Sequence, residues 1–529
     1  MRRWNGWGDD AESFPLPPTA APFLAEVAGP ATPPRDARFT EVVGRVPASR
    51  LPAHRLVSTD AADRLRHARG QSLSDWIALR SGRIGAYPDG VAWPQNGAEV
   101  RELLRWAEEV GARLIPYGGG TSVAGHINPP REGAPVLTVD MGRLSALRSL
   151  DENSLLATFG AGIAGPDLEH VLGAHGYTLG HFPQSFELAT LGGWVATRSS
   201  GQQSIRYGRI EQLFAGGRLE APAGTLELPP FPASAAGPDL RQIVLGSEGR
   251  LGIITEATVR ITRTPEKEAF HAVFFRSWTA AVAATRALVQ AGLPFVMVRL
   301  STPVETRTTL ALAGHELLIG AFERVLGVLG AGGEKCMLIL GFAGRPAIVD
   351  AARKEALALA REGGGIHVGQ TFGREWHKNR FRSPYLRNSL WEAGYAVDTL
   401  ETATTWSRIP AMVKGIEAAL HGALSGDQVH VFTHLSHLYP TGSSVYTTYL
   451  FRLRPDPDEN LVRWERLKGA ASRAIVDQGG TISHQHGVGA DHLAYLEAEK
   501  GALGLQTLGR LREQYDPRGL MNPGKLLLP

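Results

Sequence analysis

The sequence predicts an α+β protein with two main domains, and three observations lead to this fold class. The chain has 529 residues, enough for two or three domains around substantial cores. Residues 86–262 show one amphipathic helix followed by short apolar strands and glycine-rich turns. Beyond residue 262, helical stretches alternate with apolar strands, a pattern typical of a sheet with helices on one face.

The composition is that of an ordinary soluble protein, and it excludes several classes. Hydrophobic residues make up 43% of the chain, and a net charge of +3 is too small for a nucleic-acid-binding stripe. The single cysteine, Cys336, excludes a disulfide framework and a CxxC metal site, and its apolar surroundings predict a buried strand residue. No apolar run is long enough to span a membrane, and the N-terminus lacks a signal-peptide pattern, so we expect a cytoplasmic protein.

Residues 1–85 are predicted to form an N-terminal arm with a helical extension. Within them, residues 11–38 are rich in proline and alanine. This composition favours an extended arm or linker rather than core.

The predicted first domain, residues 86–262, begins with a well-marked helix. Asn96 is a candidate N-cap, apolar side chains from Val100 to Val110 recur at helical spacing, and Gly111 ends the pattern. Strands are predicted at 113–117, 136–140, 155–159 and 251–262.

A second domain is predicted at 263–455, followed by a helical C-terminal segment at 456–529. In the C-terminal segment, Leu503, Leu508 and Leu511 stand at the spacing of a core-facing helix. In the second domain, helices are predicted around 277–291 and 346–362, and strands at 295–300 and 336–342.

The run GGGTS at 118–122 is the first chemical signal. Three consecutive glycines let a backbone turn its N–H groups inward, and Thr121 and Ser122 add hydroxyl donors. Such a nest binds a diphosphate, and its position directly after a strand favours this interpretation over a flexible surface loop.

A second glycine motif, GAGIAG at 160–165, matches the GxGxxG fingerprint of dinucleotide-binding Rossmann domains. A Rossmann unit starts with this motif, whereas here two strands and a helix precede it. We therefore do not expect a Rossmann domain.

Two further loops could lie against an extended cofactor. Residues 181–202 are rich in small polar residues, and Gly192, Gly193 and Gly201 would permit the close approach of a planar ring. The run GSEG at 246–249 precedes a strand and is a second candidate. The alternative for both loops is a pair of ordinary turns.

Four segments together resemble the alkyldihydroxyacetonephosphate synthase (alkylglycerone-phosphate synthase) family within the vanillyl-alcohol-oxidase-type FAD proteins. The resemblance covers nearly the whole chain, including WNGWG at 4–8. With it, GAGIAG becomes an ordinary part of a flavin-binding domain. The four segments are YGGGTSV at 117–123, GHFPQSFELATLGGWVATRSSGQ at 180–202, GSEGRLGIITEATVRI at 246–261 and SHQHGVG at 483–489.

The resemblance implies a two-subdomain FAD-binding domain made of 86–262 and the returning C-terminal segment, with an α+β cap domain between them. Relatives with covalent flavin have a histidine beside the glycine-rich loop, where this chain has Tyr117, so we expect non-covalent FAD. His181 matches a histidine that the family needs for flavin binding. The implied cofactor-binding residues are Gly118, Gly119, Gly120, Thr121, Ser122, Val123, Ala124, His181, Gln184, Ser185, Thr190, Thr197, Ser200, Glu248, Gly252 and Ile254.

The resemblance also assigns the substrate side. Arg387 matches the family's substrate-phosphate arginine, and a guanidinium suits phosphate because its donors form a fork that stays charged. Arg299 matches an arginine important for activity, and Tyr446 matches the active-site tyrosine that is the proposed acid/base. From the residues alone, a surface salt bridge is the alternative for each arginine, and a packed aromatic for the tyrosine.

The chain departs from the family at the run His484-Gln485-His486. The family has three successive histidines there, and an amide cannot exchange protons near neutral pH. His484 and His486 are therefore expected as catalytic residues that orient the substrate or the flavin edge.

A metal site is the alternative use of these histidines. His430, His434 and His437 stand close together in the sequence, and flavin-linked 2-hydroxyacid dehydrogenases hold a divalent metal with paired histidines and a glutamate before the last HG. Here that residue is Gln485, which removes the anionic ligand. We therefore expect no metal.

The resemblance implies an FAD-dependent enzyme that exchanges the acyl group of acyl-dihydroxyacetone phosphate for a long-chain alcohol, with no net redox change. The alternative is an FAD-linked oxidase or dehydrogenase of a small 2-hydroxyacid or alcohol. We expect a lipid or small-molecule substrate, a homodimer, peripheral contact with a membrane and no nucleic-acid partner.

Overall fold

Three sheets of four, five and eight strands, with one further two-stranded sheet, organise the described part of the protein. The computed structural model describes residues 2–312 and 316–527, with the backbone alone for 316–318. The elements before the first domain are α1 Ala20–Ala28, α2 Phe39–Val43, β1 Val57–Ser58, α3 Ala61–Arg66 and α4 Leu73–Ser81.

The first sheet carries the glycine-rich loop. Its order is β1-β2-β4-β3, and the pairs β2–β4 and β3–β4 are parallel. Asn96 accepts a hydrogen bond from the Glu99 N–H at 3.0 Å and Gly111 has φ +67°, which confirms the predicted helix limits. The elements are β2 Gly90–Ala92, α5 Gly97–Glu109, β3 Arg113–Tyr117 and β4 Val136–Asp140, followed by a 3₁₀ turn at Met141–Arg143.

The second sheet is antiparallel, with the order β5-β6-β10-β8-β9. GAGIAG leaves β6, whose neighbours are antiparallel, so this segment has no Rossmann βαβ unit. The elements of this region are β5 Leu147–Asp151, β6 Leu156–Gly160, α6 Gly165–Ala174, β7 Tyr177–Thr178, α7 Leu191–Thr197, α8 Ser204–Tyr207, α9 Ile210–Leu213, β8 Phe214–Ala221, β9 Gly224–Leu228, α10 Arg241–Val244, β10 Ile253–Arg260 and β11 Thr262–Arg263.

The second domain contains the large sheet, with the order β15-β12-β14-β13-β17-β19-β16 and β18 paired to β19. Its elements are β12 Lys267–Phe275, α11 Trp278–Gln290, β13 Phe295–Ser301, α12 Pro303–Ala311, α13 Glu316–Val328, β14 Cys336–Gly344, α14 Pro346–Glu362, β15 Ile366–His367, α15 Thr371–Asn379, α16 Ser383–Glu392, β16 Tyr395–Thr405, α17 Ile409–Gly422, β17 His430–Leu435, β18 Leu438–Tyr439 and β19 Gly442–Arg452, with a 3₁₀ turn at Trp406–Arg408.

The two faces of the large sheet have different partners. Side chains from α11, α14, α17 and the later helix α18 (Pro457–Asp477) form one core cluster with strand residues such as Val298 and Leu338. This arrangement confirms the expected helix-covered face. The strand pairs of this sheet are all antiparallel, although the alternation of helices and strands resembles βαβ units. Cys336 is buried in β14, as expected.

The N-terminal arm contradicts one expectation. Residues 11–38 contain α1, whose Leu24 and Ala28 pack with Leu390 and Leu450 in an apolar cluster. The prediction that this stretch lies outside the core is wrong, because the apolar side of α1 is buried on the second domain.

The C-terminal segment also corrects the sequence interpretation. It forms α18, a 3₁₀ turn at Leu493–Tyr495 and α19 Leu496–Tyr515. Leu503 is 77% exposed, so its assignment to a core stripe is wrong; the chain has non-helical dihedrals two residues earlier, at Gly501. Within the described residues, the helices are all too short or too polar to cross a membrane.

After α19 the chain returns to the first sheet. The Leu114 N–H donates to the Leu520 carbonyl and the Asn522 N–H to the Leu114 carbonyl, which extends the edge at β3. The buried Arg250 donates to the carbonyls of Met521 and Asn522. These bonds hold the last residues beside the glycine-rich loop.

Candidate functional site

A cavity of about 1130 Å³ lies between the glycine-rich loops and the face of the large sheet that α11, α14, α17 and α18 leave uncovered. This volume exceeds the roughly 300–1,000 Å³ of small-molecule pockets, so it has room for a cofactor and a second ligand. The expected residues that line it are Gly118, Gly119, Gly120, Thr121, Ser122, Val123, Gln184, Ser185, Thr190, Thr197, Ser200, Glu248, Gly252, Ile254, Arg299, Arg387, Tyr446 and His486.

The glycine-rich loop is shaped for a ligand that contacts backbone. A Cβ on Gly119 would lie 1.7 Å from the Leu188 carbonyl oxygen, and Gly120 has φ +65°, so neither position tolerates a side chain easily. The backbone N–H groups at 119–122 donate no hydrogen bond to another residue in the described part of the chain. Such unused donors fit the diphosphate of FAD.

The neighbouring loops complete the fit to FAD. Gly192 and Gly193 at the start of α7 and Gly252 before β10 all line the cavity with backbone. A Cβ on Gly192 would lie 2.9 Å from the Ala161 side chain, and one on Gly252 would lie 2.4 Å from the Glu220 carbonyl oxygen. Packing against these neighbours therefore requires glycine at both positions, and the cavity is lined there by backbone alone.

Two expected cofactor residues hold the loop that carries His486. The Glu248 carboxylate accepts the N–H groups of Val488 and Gly489 at 2.6 and 2.8 Å. The Ala124 carbonyl accepts the Ala490 N–H at 2.9 Å, and Ala124 itself does not line the cavity. The structure therefore gives both residues a positioning contact.

His181 lies behind the cavity wall and does not line it. It is fully buried, packs edge-on against Trp194 and shares a hydrogen bond of 3.1 Å with Ser199, which does line the cavity. Burial lowers the pKa of His181 to about 3, so its imidazole is neutral. Its direct contacts are with the wall residues.

Tyr446 occupies the centre of the uncovered sheet face. Its hydroxyl donates to Gln184 Oε1 at 3.1 Å, and its ring stacks on His434 with 4.7 Å between centroids. Burial is the main reason that the pKa of Tyr446 lies well above 10, with the Glu401 carboxylate adding to it. The phenol is therefore protonated at neutral pH.

Arg299 acts within a buried ion-pair group next to Tyr446. Its Nη2 lies 2.8 Å from Glu305 Oε1, which also lies 2.8 Å from His434 Nδ1. Burial raises the pKa of Glu305, but the positive charge of Arg299 and then the contact with His434 outweigh it and bring the pKa to about 2. The structure thus ties Arg299 to the orientation of the ring that stacks on Tyr446.

Arg387 lines the same cavity, and its guanidinium is only partly hydrogen-bonded. Its Nη1 donates to the Gln71 carbonyl at 2.6 Å, and its guanidinium lies 4.4 Å from the centroid of the Trp76 ring. Its buried Nη2 has no hydrogen-bond partner among the described residues. A buried, unpaired guanidinium nitrogen at a cavity wall is suited to an anionic ligand.

The histidine run separates into two environments. His486 lines the cavity edge-on to Tyr446, with 5.9 Å between centroids, and burial lowers its pKa to about 4. His484 does not line the cavity; its Nε2 shares a hydrogen bond of 2.7 Å with the Tyr439 hydroxyl. Gln485 lies between them and donates to Glu401 Oε2 at 2.6 Å.

Two buried carboxylates beside the active-site histidines, Glu305 next to His434 and Glu401 next to His484, are not among the residues predicted from the sequence. Glu401 lies in β16 in register with Tyr446, and Glu305 lies in α12, far from His434 in sequence. An acidic residue within the otherwise uncharged run TLETATT was the available signal for Glu401. Glu305 lies in the first turn of a capped helix, where acidic residues are common, so its position in the sequence gave no sign of a site residue.

Two groups of apolar side chains extend the cavity away from the polar residues. They belong to separate packing clusters, one under α13 and α15 and one under α1. The lining residues of the first are Met297, Phe322, Met337, Ile339, Phe372 and Trp376, and those of the second are Leu24, Leu390 and Leu450.

Two family models match the chain, one over most of the first domain and one from the second domain to near the C-terminus. The family model described as FAD binding domain matches residues 88–227. The model described as FAD linked oxidases, C-terminal domain, matches residues 264–526.

Curated relatives and solved structures extend the likeness to the whole chain. An alkyldihydroxyacetonephosphate synthase from Dictyostelium discoideum is 29% identical over 99% of this chain and 93% of its own. A mitochondrial cytochrome-type D-lactate dehydrogenase from Arabidopsis thaliana is 27% identical over 84% of this chain and 74% of its own. A solved alkyldihydroxyacetonephosphate synthase superposes with a TM-score of 0.85 at 26% identity, over 99% of each chain.

Proposed function

Because the chain belongs to the alkyldihydroxyacetonephosphate synthase family of FAD-linked enzymes, we propose that it exchanges the acyl group of an acyl-dihydroxyacetone phosphate for a long-chain alcohol. One observation carries this proposal. A single cavity is lined by a backbone cradle for FAD, by Arg387, whose buried Nη2 lacks a hydrogen-bond partner, and by two groups of apolar side chains.

FAD is the cofactor, and loops of the first domain would hold it. The N–H groups at 119–122 would bind its diphosphate, and the backbone around Gly192 and Gly252 would flank its ring. Bound FAD would supply the reactive ring on which the exchange depends. We further propose that the cofactor is not covalently attached, since Tyr117 stands beside the cradle.

Arg387 would bind the phosphate of the substrate. Its Nη1 is already held by the Gln71 carbonyl, so Nη2 is fixed in place before a ligand arrives. Phosphate would supply the missing acceptor and offset the cost of burying that nitrogen. Anchoring the phosphate would place the acyl-bearing carbon between Tyr446 and the flavin side of the cavity.

Two side chains with opposite protonation properties would move the proton. Tyr446 is protonated at neutral pH and can donate from Oη, whereas His486 is neutral and can accept at a ring nitrogen. Their rings are neighbours, with 5.9 Å between centroids. In this arrangement, His486 accepts the proton that the substrate or alcohol loses, and Tyr446 protonates the oxygen that leaves.

The apolar recesses would hold the two long chains of the reaction. One chain leaves as fatty acid and the other enters as alcohol, so both need burial beside the same centre. The helix α13, which lines one recess through Phe322, leads into an exposed apolar patch of Val325, Val328 and Leu329, which are 58%, 90% and 45% exposed. We propose that this patch contacts a membrane and admits the lipid. The homodimer and the cytoplasmic location stay predictions from the sequence.

The direct test uses the purified flavoprotein with palmitoyl-dihydroxyacetone phosphate and labelled hexadecanol. We expect labelled alkyl-dihydroxyacetone phosphate, release of palmitate and no lasting bleaching of the flavin spectrum. No labelled ether product, with rapid bleaching by D-lactate or another 2-hydroxyacid, would instead establish the oxidoreductase alternative that the D-lactate dehydrogenase relative keeps open. Flavin binding with neither reaction would contradict both activities.

A further inference from the structure

Three buried side chains from separate parts of the second domain and C-terminal segment meet beside the cavity. Glu401 lies on β16, His437 on the turn after β17, and His484 after α18. One ligand atom from each lies within 4.8 Å of the other two, and the side chains are between 0% and 5% exposed. The proposed reaction uses none of the three directly.

One carboxylate oxygen lies within ion-pair distance of both histidines. Glu401 Oε1 lies 3.2 Å from His484 Nδ1 and 3.6 Å from His437 Nε2. Despite the 3.2 Å distance, the alignment is not that of a hydrogen bond, and both Glu401 Oε1 and His484 Nδ1 lack a hydrogen-bond partner among the described residues. Buried polar atoms that lack an aligned hydrogen bond are costly, and a cation held between the three groups would offset that cost.

The opposite side of each histidine is already fixed by a hydroxyl group. His437 Nδ1 lies 3.1 Å from Ser200 Oγ and 3.2 Å from Ser204 Oγ. His484 Nε2 lies 2.7 Å from the Tyr439 hydroxyl. Metal-binding histidines are typically oriented through their second ring nitrogen in this manner.

Gln485 orients the third side chain. Its Nε2 donates to Glu401 Oε2 at 2.6 Å, which leaves Oε1 directed towards the two histidines. In the sequence, Gln485 stands where related dehydrogenases have an anionic ligand. In the structure the anionic group is the carboxylate of Glu401 on β16, and Gln485 holds that carboxylate in place.

We propose that Glu401, His437 and His484 form a binding site for one divalent transition-metal ion, with zinc as the best match. Two imidazole nitrogens and one carboxylate oxygen are a common zinc ligand set, and ligand–ligand distances of 3.2 and 3.6 Å are near those around a tetrahedral ion. His437 and Gln485 line the cavity, so a fourth position is left to water or to an oxygen of a cavity ligand. This site does not depend on the proposed lipid reaction.

The test measures metal binding in the FAD-loaded enzyme without using turnover. The protein is dialysed against a chelator, supplied with zinc and freed of unbound ion by gel filtration, and its zinc is measured by mass spectrometry. We expect about one zinc per chain. Cobalt(II) in place of zinc should give the intense visible bands of a tetrahedral ion, at wavelengths beyond the flavin absorption.

Variants locate the ion. Glu401→Gln keeps the size of the side chain but removes its charge, and it should lower the retained zinc at least about tenfold. Glu417→Gln is the matched control, because that carboxylate bonds to Thr433 on the same sheet and should leave the zinc content unchanged. His437→Asn replaces Glu401→Gln if the latter fails to bind FAD or to give the wild-type circular dichroism.

Two results would overturn the proposal. One is wild-type enzyme that retains less than about a tenth of an equivalent of zinc and gives the weak spectrum of hydrated cobalt. The other is unchanged zinc binding in a folded Glu401→Gln or His437→Asn variant. Wild-type enzyme without zinc would show that Glu401 and the two histidines interact only with one another. Unchanged zinc binding in a variant would show that the ion binds elsewhere.

Discussion

At the residue scale, the charged groups of the cavity are held by contacts made before any ligand binds. Arg387 is fixed by Gln71 and Trp76, and Arg299 by Glu305 and Ser301. Some guanidinium donors are used in these contacts and fix the side chain in place. A donor without a partner, such as Nη2 of Arg387, is left for a ligand. Substitutions can therefore distinguish a ligand-binding arginine from one that orients its neighbours.

Replacing Arg387 by alanine should leave FAD bound and abolish turnover. The substrate phosphate would lose a charged partner in a buried setting, which corresponds to a loss of about 10²-fold or more in kcat/KM. Steady-state rates and the flavin absorbance of the variant test this. Arg387→Lys is the control for charge: it should recover only part of the rate, because an ammonium lacks the fork. Wild-type activity in Arg387→Ala would refute the phosphate contact.

Replacing Tyr446 by phenylalanine should remove the acid without removing the ring. The stacking on His434 is kept, so FAD content should stay at the wild-type value while kcat falls by about 10²–10⁴. Because the pKa of Tyr446 is raised above 10, the wild-type rate should show no loss of this proton up to pH 9. A Tyr446→Phe enzyme with wild-type kcat would exclude the role.

At the scale of single elements, α13 combines a cavity wall with an exposed apolar patch. Ile319 and Phe322 line the cavity, whereas Val325 and Val328 face outward. A surface helix seldom exposes several apolar side chains together unless it meets a membrane or another protein. The proposed membrane contact rests on this exposed patch.

Changing Val328 to aspartate should weaken membrane binding. Loss of one buried valine at an interface corresponds to about a tenfold lower partition coefficient. Co-sedimentation with vesicles of phosphatidylcholine and phosphatidylglycerol measures it. Val462→Asp on α18 is the matched control, since Val462 is also exposed but lies away from the patch. Equal binding by the two variants would contradict the role of α13.

The N-terminal arm is a second element with a defined attachment. Asn388 on α16 accepts the Trp7 N–H at 3.2 Å and donates to the Trp7 carbonyl at 2.9 Å. Trp7, Phe14 and Leu24 line the cavity, so the arm forms part of its wall. Its position depends on buried hydrogen bonds as well as apolar packing.

The substitution Asn388→Ala should release the arm. Two buried backbone groups of Trp7 would lose their partner, which costs about 1–3 kcal/mol. Limited proteolysis should cut within the first 36 residues faster than in the wild type, while the rest of the chain stays resistant. The control is Asn379→Ala, whose amide bonds only to an exposed glutamate. An unchanged cleavage rate in Asn388→Ala would show that packing alone holds the arm.

At the scale of the whole molecule, many buried histidines are kept neutral. Burial lowers the pKa of His181 and His492 to about 3 and that of His430 to about 4. In the unfolded chain the same groups take up a proton below about pH 6.5. At these histidines the unfolded state binds more protons than the native state, so their contribution to stability falls as the pH falls. Buried Asp491, whose pKa is raised to about 7, acts in the opposite direction, but the histidines outnumber it.

We expect the free energy of unfolding to decrease steadily from pH 6.5 to pH 4.5, by about 1–3 kcal/mol for each such histidine. Glu305 acts in the same direction below about pH 4.5, since its native pKa is about 2. Urea unfolding midpoints across this range provide the measurement. His181→Asn should reduce the slope, and the exposed His421→Asn should not. A midpoint that is constant between pH 7.5 and pH 4.5 would contradict the expectation.

Local patterns in the sequence were sufficient for much of the fold and for the cofactor side of the cavity. Asn96 and Gly111 marked both ends of α5, and apolar runs marked β3, β4, β13 and β14. The consecutive glycines of 118–120 predicted a backbone cradle, because only residues without side chains allow that geometry. These signals lie within a few residues of one another, so no tertiary contact is needed to read them.

Long-range contacts decided the rest. The burial of α1, the exposure of Leu503, the pairing of Glu305 with Arg299 and His434, and the meeting of Glu401 with His437 and His484 all join residues far apart in the chain. A carboxylate in a strand or at a helix start looks the same in sequence whether it faces water or a buried histidine. Its role depends on desolvation and on charges supplied by other elements, and only the packed structure determines both.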